Sequence, residues 1–267
     1  MRSAWSEKEL RDAITRNEIV IHYQPQFNLV TNKYGGLEAL VRWQKGGTLI
    51  SPDDFLPGFV RYELMHVFSL HLLHLVLSHI RSGVFQEAGV EKISINLSYN
   101  ELSNPDFIDE MLRILKLYDV DPSMLVVELT ESSNIDDLSF LSASIKKLKS
   151  IGVGVSLDDF CTGCSCLNHL RMLDVDAIKI DKSFIHNISE SQKDYLIVQC
   201  LIDIARQLGV ETVVEGVEYN NQKALIERFE PTWLQGYYLA RPMAIEECLL
   251  FLQSHHADNN LYRMQIA

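Results

Sequence analysis

Val153-Gly154-Val155-Ser156-Leu157-Asp158-Asp159-Phe160 reads as a short buried strand that ends on two carboxylates. The same pattern returns in Glu38-Ala39-Leu40, Val127-Glu128-Leu129-Thr130-Glu131 and Val214-Glu215-Gly216-Val217-Glu218. Acids at the ends of several apolar strands do not pack a core. In a parallel sheet or barrel they converge at one end, where chemistry is done. Such a cluster repels itself at neutral pH, so it either neutralises through large pKa shifts or recruits cations. With oxygen donors only, and no His or Cys in these segments, hard Mg2+ or Mn2+ suits it better than Zn2+.

Outward from these segments, strand-like and helix-like runs alternate as in βαβα chains. Eight strands are expected, at 19–24, 36–43, 92–97, 124–129, 153–157, 177–180, 211–214 and 232–235. Helical patterns fall at 65–81, 105–117, 136–150, 192–208, 220–228 and 245–253. The first gap is too short for a crossover helix and carries Asn28, Thr31, Asn32 and Gly35, so the first two strands must form an antiparallel hairpin. The fold predicted is α/β: a TIM-type (β/α)8 barrel with the first strand antiparallel to the rest. A length of 267 residues, 47% of them hydrophobic, with 13 Gly and 7 Pro, suits one large domain over 1–254 and a polar tail over 255–267.

A net charge of −12 argues against binding polymeric nucleic acid, which needs basic surface to release counterions, but leaves room for a small anionic ligand held through metals. The polar first 17 residues lack the apolar core of a signal peptide. The longest apolar stretch, 64–80, is interrupted by His66, His71, His74 and His79. These features predict a cytoplasmic protein with no membrane segment, and five cysteines in such a chain are expected to be reduced thiols.

Tyr23-Gln24-Pro25, Glu38-Ala39-Leu40-Val41-Arg42-Trp43, Asn96-Leu97-Ser98, Glu128-Leu129-Thr130-Glu131, Asp158-Asp159-Phe160, Lys179-Ile180-Asp181-Lys182-Ser183-Phe184, Glu215-Gly216-Val217-Glu218 and Gln235-Gly236-Tyr237 occur in this order. Together they resemble the EAL domain family, the cyclic di-GMP phosphodiesterases of bacterial signalling, over about 10–253. The resemblance implies one divalent ion held by Glu38, Asn96, Glu128 and Asp158, and a second held or oriented by Asp158, Asp159 and Glu215. It implies hydrolysis of cyclic di-GMP to linear pGpG, with Lys179 near the attacking water as general base or electrostatic stabiliser. Catalytic roles extend by resemblance to Glu38 and to Glu131, the latter as an anchor of the loop after Asp159. Gln24, Leu40, Arg42, Asp181 and Gln235 are the implied substrate contacts. A homodimer through the region after Gly163, with Leu167 and Leu170 on its helix, is implied as well. No companion sensor motif is visible, which leaves open a stand-alone protein or a fragment, with a regulatory protein partner.

Two departures from the family pattern stand out. After Asp159 the chain reads Phe160-Cys161-Thr162-Gly163-Cys164-Ser165-Cys166 where Gly, an aromatic residue and Ser are usual. A Cys at 161 lacks glycine's easy access to positive φ, so either the backbone is ordinary there or the loop takes another path. The three cysteines could remain small buried thiols, form a reversible disulfide that tunes activity, or bind Zn2+ with His169. The second departure is Gly58-Phe59-Val60-Arg61-Tyr62-Glu63, which lacks the usual Ala-Glu-Glu and glycine pattern beside the ligand wall. His71 and His74 lie at i, i+3 on an apolar helix and are read as edges of an outer barrel helix before a metal pair. The alternative to catalysis is an inactive EAL protein serving as a cyclic di-GMP receptor or protein-binding regulator. An unrelated metal-dependent barrel enzyme would have to match all these segments by accident.

Overall fold

A computed structural model describes residues 5–130, 138–162 and 166–266, with backbone alone at 166 and from 256 onward. Its strands are β1 (Ile19–Asn28), β2 (Lys33–Lys45), β3 (Thr48–Ile50), β4 (Lys92–Ser98), β5 (Leu125–Thr130), β6 (Gly154–Phe160), β7 (Ala177–Ile180), β8 (Glu211–Val214) and β9 (Trp233–Leu234). The order β1-β9-β8-β7-β6-β5-β4-β2 closes through a β1–β2 pairing into an eight-stranded barrel, and β3 folds back antiparallel on the end of β2. β1 runs antiparallel to both neighbours and the remaining pairs are parallel. The hairpin follows from the short polar turn, where the Asn28 side chain accepts from the backbone N–H groups of Val30 and Thr31.

Alternation along the strands sorts the side chains. Ile93, Ile95, Val127, Leu129, Val155, Leu157, Ile178 and Ile180 are buried in the large apolar cluster that includes helix residues such as Leu73, Ile114, Ile145 and Ile202. The intervening positions Ser94, Glu128, Ser156 and Lys179 are polar and equally buried. The apolar layer therefore lies on one face of the strands and the barrel lumen on the other carries the polar groups. A second cluster, with Leu10, Trp43, Phe55, Phe59 and Phe68, ties the helices Glu7–Thr15 and Pro52–Arg61 to the open end of the β1–β2 hairpin.

Helices Met65–Arg81 and Gln192–Leu208 match the sequence expectation residue for residue. The helix expected at 220–228 ends at Ile226 and passes into a 3-10 turn, Glu227–Phe229. The last helix, Ile245–Ile266, runs beyond the hydrophobic pattern that announced it. The segment lacking the usual glycine still contains a left-handed residue, Glu63 at φ +55°, where the chain turns from Pro52–Arg61 into Met65–Arg81. Among the described residues, no helix is long and apolar enough to cross a membrane.

The barrel mouth depends on close backbone approach at Gly236. A Cβ at this position would overlap the backbone N and O of Val217. The Gly236→Ala variant is expected to lose more than about 2 kcal/mol of stability, because backbone and not a flexible side chain must yield. Urea denaturation compared with wild type checks this.

Candidate active site

β7 contributes Lys179, whose side chain is only 1% exposed. Its Nζ lies 2.7 Å from Glu128 Oε2 and from Glu215 Oε1, 3.0 Å from Asp158 Oδ1 and 3.5 Å from Glu38 Oε1. Burial opposes a charged ammonium, yet Glu128, Glu38, Glu215 and Asp158 hold its pKa well above the ordinary lysine value. The carboxylates outnumber it. Burial raises Glu128 well above the usual range, with Glu38 and Asp158 adding to the effect and Lys179 opposing it. Burial likewise pushes Glu215 up to about 7 and Asp159 up to about 6, the latter aided by Asp158 and Asp181. Glu38 goes the other way: burial is its largest influence and raises it, but Lys179, Gln235 and Asn96 together outweigh that and leave it below the ordinary value.

Adjacent residues of a strand point to opposite faces, so Asp158 and Asp159 could not share a site on a regular β6. The register between β6 and β7 slips between Leu157 and Phe160, a bulge, and Asp159 takes the left-handed φ of +49°. As a result one oxygen each of Asp158, Asp159 and Glu215 lies within 4.8 Å of the other two. Asp158 Oδ1 is buried and makes no hydrogen bond; its 3.0 Å contact with Lys179 is a charge contact alone. A buried orphan oxygen among carboxylates of raised pKa, with only oxygen donors at hand, fits a hard divalent cation.

Glu38 is placed differently from the other acids. It sits within β2, which continues to Lys45, and it pairs across the hairpin with Gln24 and across the parallel edge with Ser94. Asn96 Nδ2 donates to Glu38 Oε1 over 2.9 Å, and Gln235 Nε2 donates to Glu38 Oε2 over 2.6 Å. Gln24, Glu38, Leu40, Lys182, Glu215, Gly216, Glu218, Gln235, Gly236 and Tyr237 line a groove of about 230 Å³ at this end of the barrel. Leu40 also walls a more apolar cavity of about 280 Å³, bounded by Leu56, Met65, Phe68, Leu72, Asn96 and Glu101.

Of the residues singled out from sequence, Glu38, Asn96, Glu128, Asp158, Asp159, Lys179, Glu215, Gln24, Leu40 and Gln235 come together here. Arg42 is half-buried close to Glu38 and Tyr237, and its Nη1 donates to the Val41 carbonyl over 2.7 Å. Asp181 caps the turn Lys182–Ile185 by accepting from Ser183 N–H, and it also touches Asp159. Glu131, Gly163 and Cys164 lie outside the described residues, as does the side chain of Cys166. Sequence reading assigned no role to Gln26, Lys182, Glu218 or Tyr237; the last three stood inside quoted motifs and line the groove. His74 Nδ1 bonds the Tyr118 hydroxyl at 3.2 Å, and the His pair forms no metal group among the described residues.

Cys161 adopts the left-handed φ of +70°, so the loop keeps a glycine-like backbone despite the substitution. The expectation that all five cysteines are reduced thiols is not met: Cys161 is disulfide-bonded, while Cys200 and Cys248 are free. Composition speaks for the chain as a whole and does not register the local clustering of three cysteines within 161–166.

Fold and site together define a mixed-strand α/β barrel with an acidic centre suited to divalent cations. Residues 7–242 match the family profile described as EAL domain, and the chain belongs to the EAL domain family. It is 33% identical over 244 residues to the bifunctional diguanylate cyclase/cyclic di-GMP phosphodiesterase MucR of Pseudomonas aeruginosa, a match covering 90% of this chain and 35% of that protein. It is also 33% identical over 243 residues to the probable cyclic di-GMP phosphodiesterase PdeG of Escherichia coli, covering 91% and 48% respectively. Among solved structures, the MucR phosphodiesterase in complex with c-di-GMP superposes with a TM-score of 0.84 at 32% identity, covering 90% of this chain and 98% of that one. An EAL domain protein from Listeria monocytogenes gives 0.80 at 31% identity, covering 92% and 96%. The chain spans about a third to a half of the length of these curated relatives.

The charge imbalance yields a prediction for the metal-free protein. Asp159 and Glu215 have raised pKa values in the folded state, about 6 and about 7 against 3.8 and 4.5, so the folded state binds more protons between roughly pH 4.5 and 7. Stability from these two groups is full below the lower values and is lost as pH rises through the upper ones. Metal-free protein should therefore melt at lower temperature at pH 7.5 than at pH 5.5, and Mg2+ or Mn2+ should flatten the difference. Lys179→Met should lower metal-free stability by about 3–5 kcal/mol at pH 7.5, since it leaves buried carboxylates uncompensated. Calorimetric melts across pH, with and without the ion, read both effects.

Proposed function

We propose that this chain hydrolyses cyclic di-GMP to linear pGpG. The observation that carries the reading is the Lys179 ammonium held among Glu38, Glu128, Asp158 and Glu215 at the mouth of an EAL family barrel, with every ligand position implied by the family pattern occupied by a suitable residue. Glu38, Asn96, Glu128 and Asp158 would hold one Mg2+ or Mn2+, and Asp158, Asp159 and Glu215 a second. When bound, such ions acidify a coordinated water and stabilise charge on phosphoryl oxygens.

The chain's own side chains supply the rest. Lys179, with its pKa held high, stays protonated and acts as an electrostatic stabiliser and hydrogen-bond donor more readily than as a base. Arg42 shares a strand face with Glu38 and Leu40 and interacts electrostatically with Glu38, so its guanidinium would meet a phosphate of the substrate. Gln24, Leu40 and Gln235 line the groove, and Asp181 orients Asp159 beside it. The groove and the apolar cavity share Leu40 as a wall, an arrangement suited to the two halves of a dinucleotide. Glu131 is assigned the anchoring of the loop after Asp159.

We assign 1–254 to the phosphodiesterase domain and 255–267 to a C-terminal extension, and place the protein in the cytoplasm with its nucleotide substrate. A homodimer through the helix Cys166–Met172 is supported by the exposure of Leu167 and Met172; Leu170 is buried and belongs to the fold itself. Control by a regulatory protein partner is compatible with relatives that extend well beyond this domain.

Purified protein with cyclic di-GMP and Mg2+ or Mn2+ should release pGpG, read by chromatography, and Glu38→Ala should lose at least about 100-fold in kcat while still binding the nucleotide in calorimetry. Nucleotide binding by wild type without any product would make the chain a receptor instead. Analytical ultracentrifugation at micromolar concentration should show a dimer; a fully active monomer would remove the assembly proposal.

A further inference from the structure

Three buried glutamines form a chain of side-chain hydrogen bonds that ends on Glu38. Gln24, Gln26 and Gln235 are 7%, 4% and 4% exposed. Gln26 Nε2 donates to Gln235 Oε1 over 2.8 Å. Gln235 Nε2 in turn donates to Glu38 Oε2 over 2.6 Å and to Gln24 Oε1 over 3.1 Å, and Gln24 Nε2 donates to the Ala240 carbonyl over 3.1 Å. Gln26 does not line the groove, and no role follows for it from the motifs.

We infer that Gln26 is a positioning residue for the reaction: it fixes which end of the Gln235 amide faces Glu38. An amide side chain has a donor end and an acceptor end of nearly equal shape, and in a buried site only its partners decide which way it points. Gln26 gives Gln235 Oε1 a donor, so the Nε2 end turns to the Glu38 carboxylate. With the amide reversed, an oxygen would face the carboxylate and the Gln24 oxygen, and two buried acceptors would lose their donor. Gln26 is held in turn by a space that only glycine leaves open, because a Cβ on Gly36 would lie 2.6 Å from Gln26 Oε1 and 3.1 Å from its Cβ. Strand β1 thus carries the information about amide orientation, the residue just after β9 relays it, and β2 receives it at Glu38.

The inference rests on the reading of Glu38 as a metal ligand, and the test separates the two. The measurements are Mn2+ affinity of the full chain without substrate, by electron paramagnetic resonance of the free ion, and kcat and KM for cyclic di-GMP at saturating Mn2+. Gln26→Leu should weaken Mn2+ binding about tenfold and lower kcat with KM within about twofold, the size expected for losing one oriented hydrogen bond to a charged group. Gln26→Glu, equal in length and as a carboxylate unable to donate, should cost more at pH 8. In a Gln235→Leu background Gln26→Leu should change Mn2+ affinity less than about twofold, because its only route to Glu38 is already gone. Gly36→Ala, which displaces Gln26 without removing its amide, should behave as a milder Gln26→Leu and serves if that variant does not fold. Losses that multiply independently in the Gln235→Leu background would make Gln26 a packing residue and overturn the inference. Wild-type Mn2+ affinity in Gln26→Glu and Gly36→Ala would overturn it too. If Glu38→Ala itself binds Mn2+ like wild type, the metal reading fails and the inference with it; if Glu38→Ala loses the ion while the Gln26 variants keep it, only the inference fails.

Discussion

The buried ammonium of Lys179 is the interaction on which the barrel mouth depends. Four carboxylates lie within 3.5 Å of one Nζ in surroundings where unpaired charge is costly. One positive charge cannot balance them, and burial, with repulsion between neighbouring acids adding to it, raises the pKa values of Glu128, Glu215 and nearby Asp159. The unbalanced interior leaves Asp158, Asp159 and Glu215 grouped closely enough that they could hold a cation. Lys179 Nζ holds the four acids together as their common counter-charge.

The eight barrel strands and the reversed first strand were legible because each strand is a short β-branched run, and because the first connection was too short for a helix. The acids were legible as types, since carboxylates next to buried apolar runs have few structural uses. Their geometry was not. A regular β6 would have put Asp158 and Asp159 on opposite faces, and nothing in Leu157-Asp158-Asp159-Phe160 announces a bulge. Glu38 was grouped with the strand-end acids although its own expected strand, 36–43, already ran past it, and β2 keeps it in the strand interior; β3, with three residues, was too short to leave a pattern. Gln26 was invisible for a related reason. In the alternation of β1 a polar residue reads the same whether it faces solvent or a polar lumen.

Two departures from the family pattern cost less geometry than their chemistry suggests. Glu63 and Cys161 both take left-handed backbone conformations that glycine adopts freely and other residues adopt at some strain. Cys161 is disulfide-bonded, and Glu63 lies between the buried residues Phe59 and Leu64 of the second apolar cluster. At both positions the tertiary structure overrides local propensity.

The barrel is closed unequally. β1 meets β2 over ten paired residues, from Ile19–Trp43 to Asn28–Lys33, but meets β9 over two, Phe27–Leu234 and Asn28–Trp233. Beyond those two rungs β1 is held on this side by a two-way backbone bridge between Tyr23 and Met243 and by side chains, with Gln26 and Gln24 reaching across to Gln235. The molecule is thus a slit cylinder laced with glutamines. With two rungs and one bridge on this side against ten paired residues on the other, the β9 side is the thinner closure of the wall, and it is the side from which Gln235 reaches Glu38, so local opening of the barrel should begin beside the gathered acids.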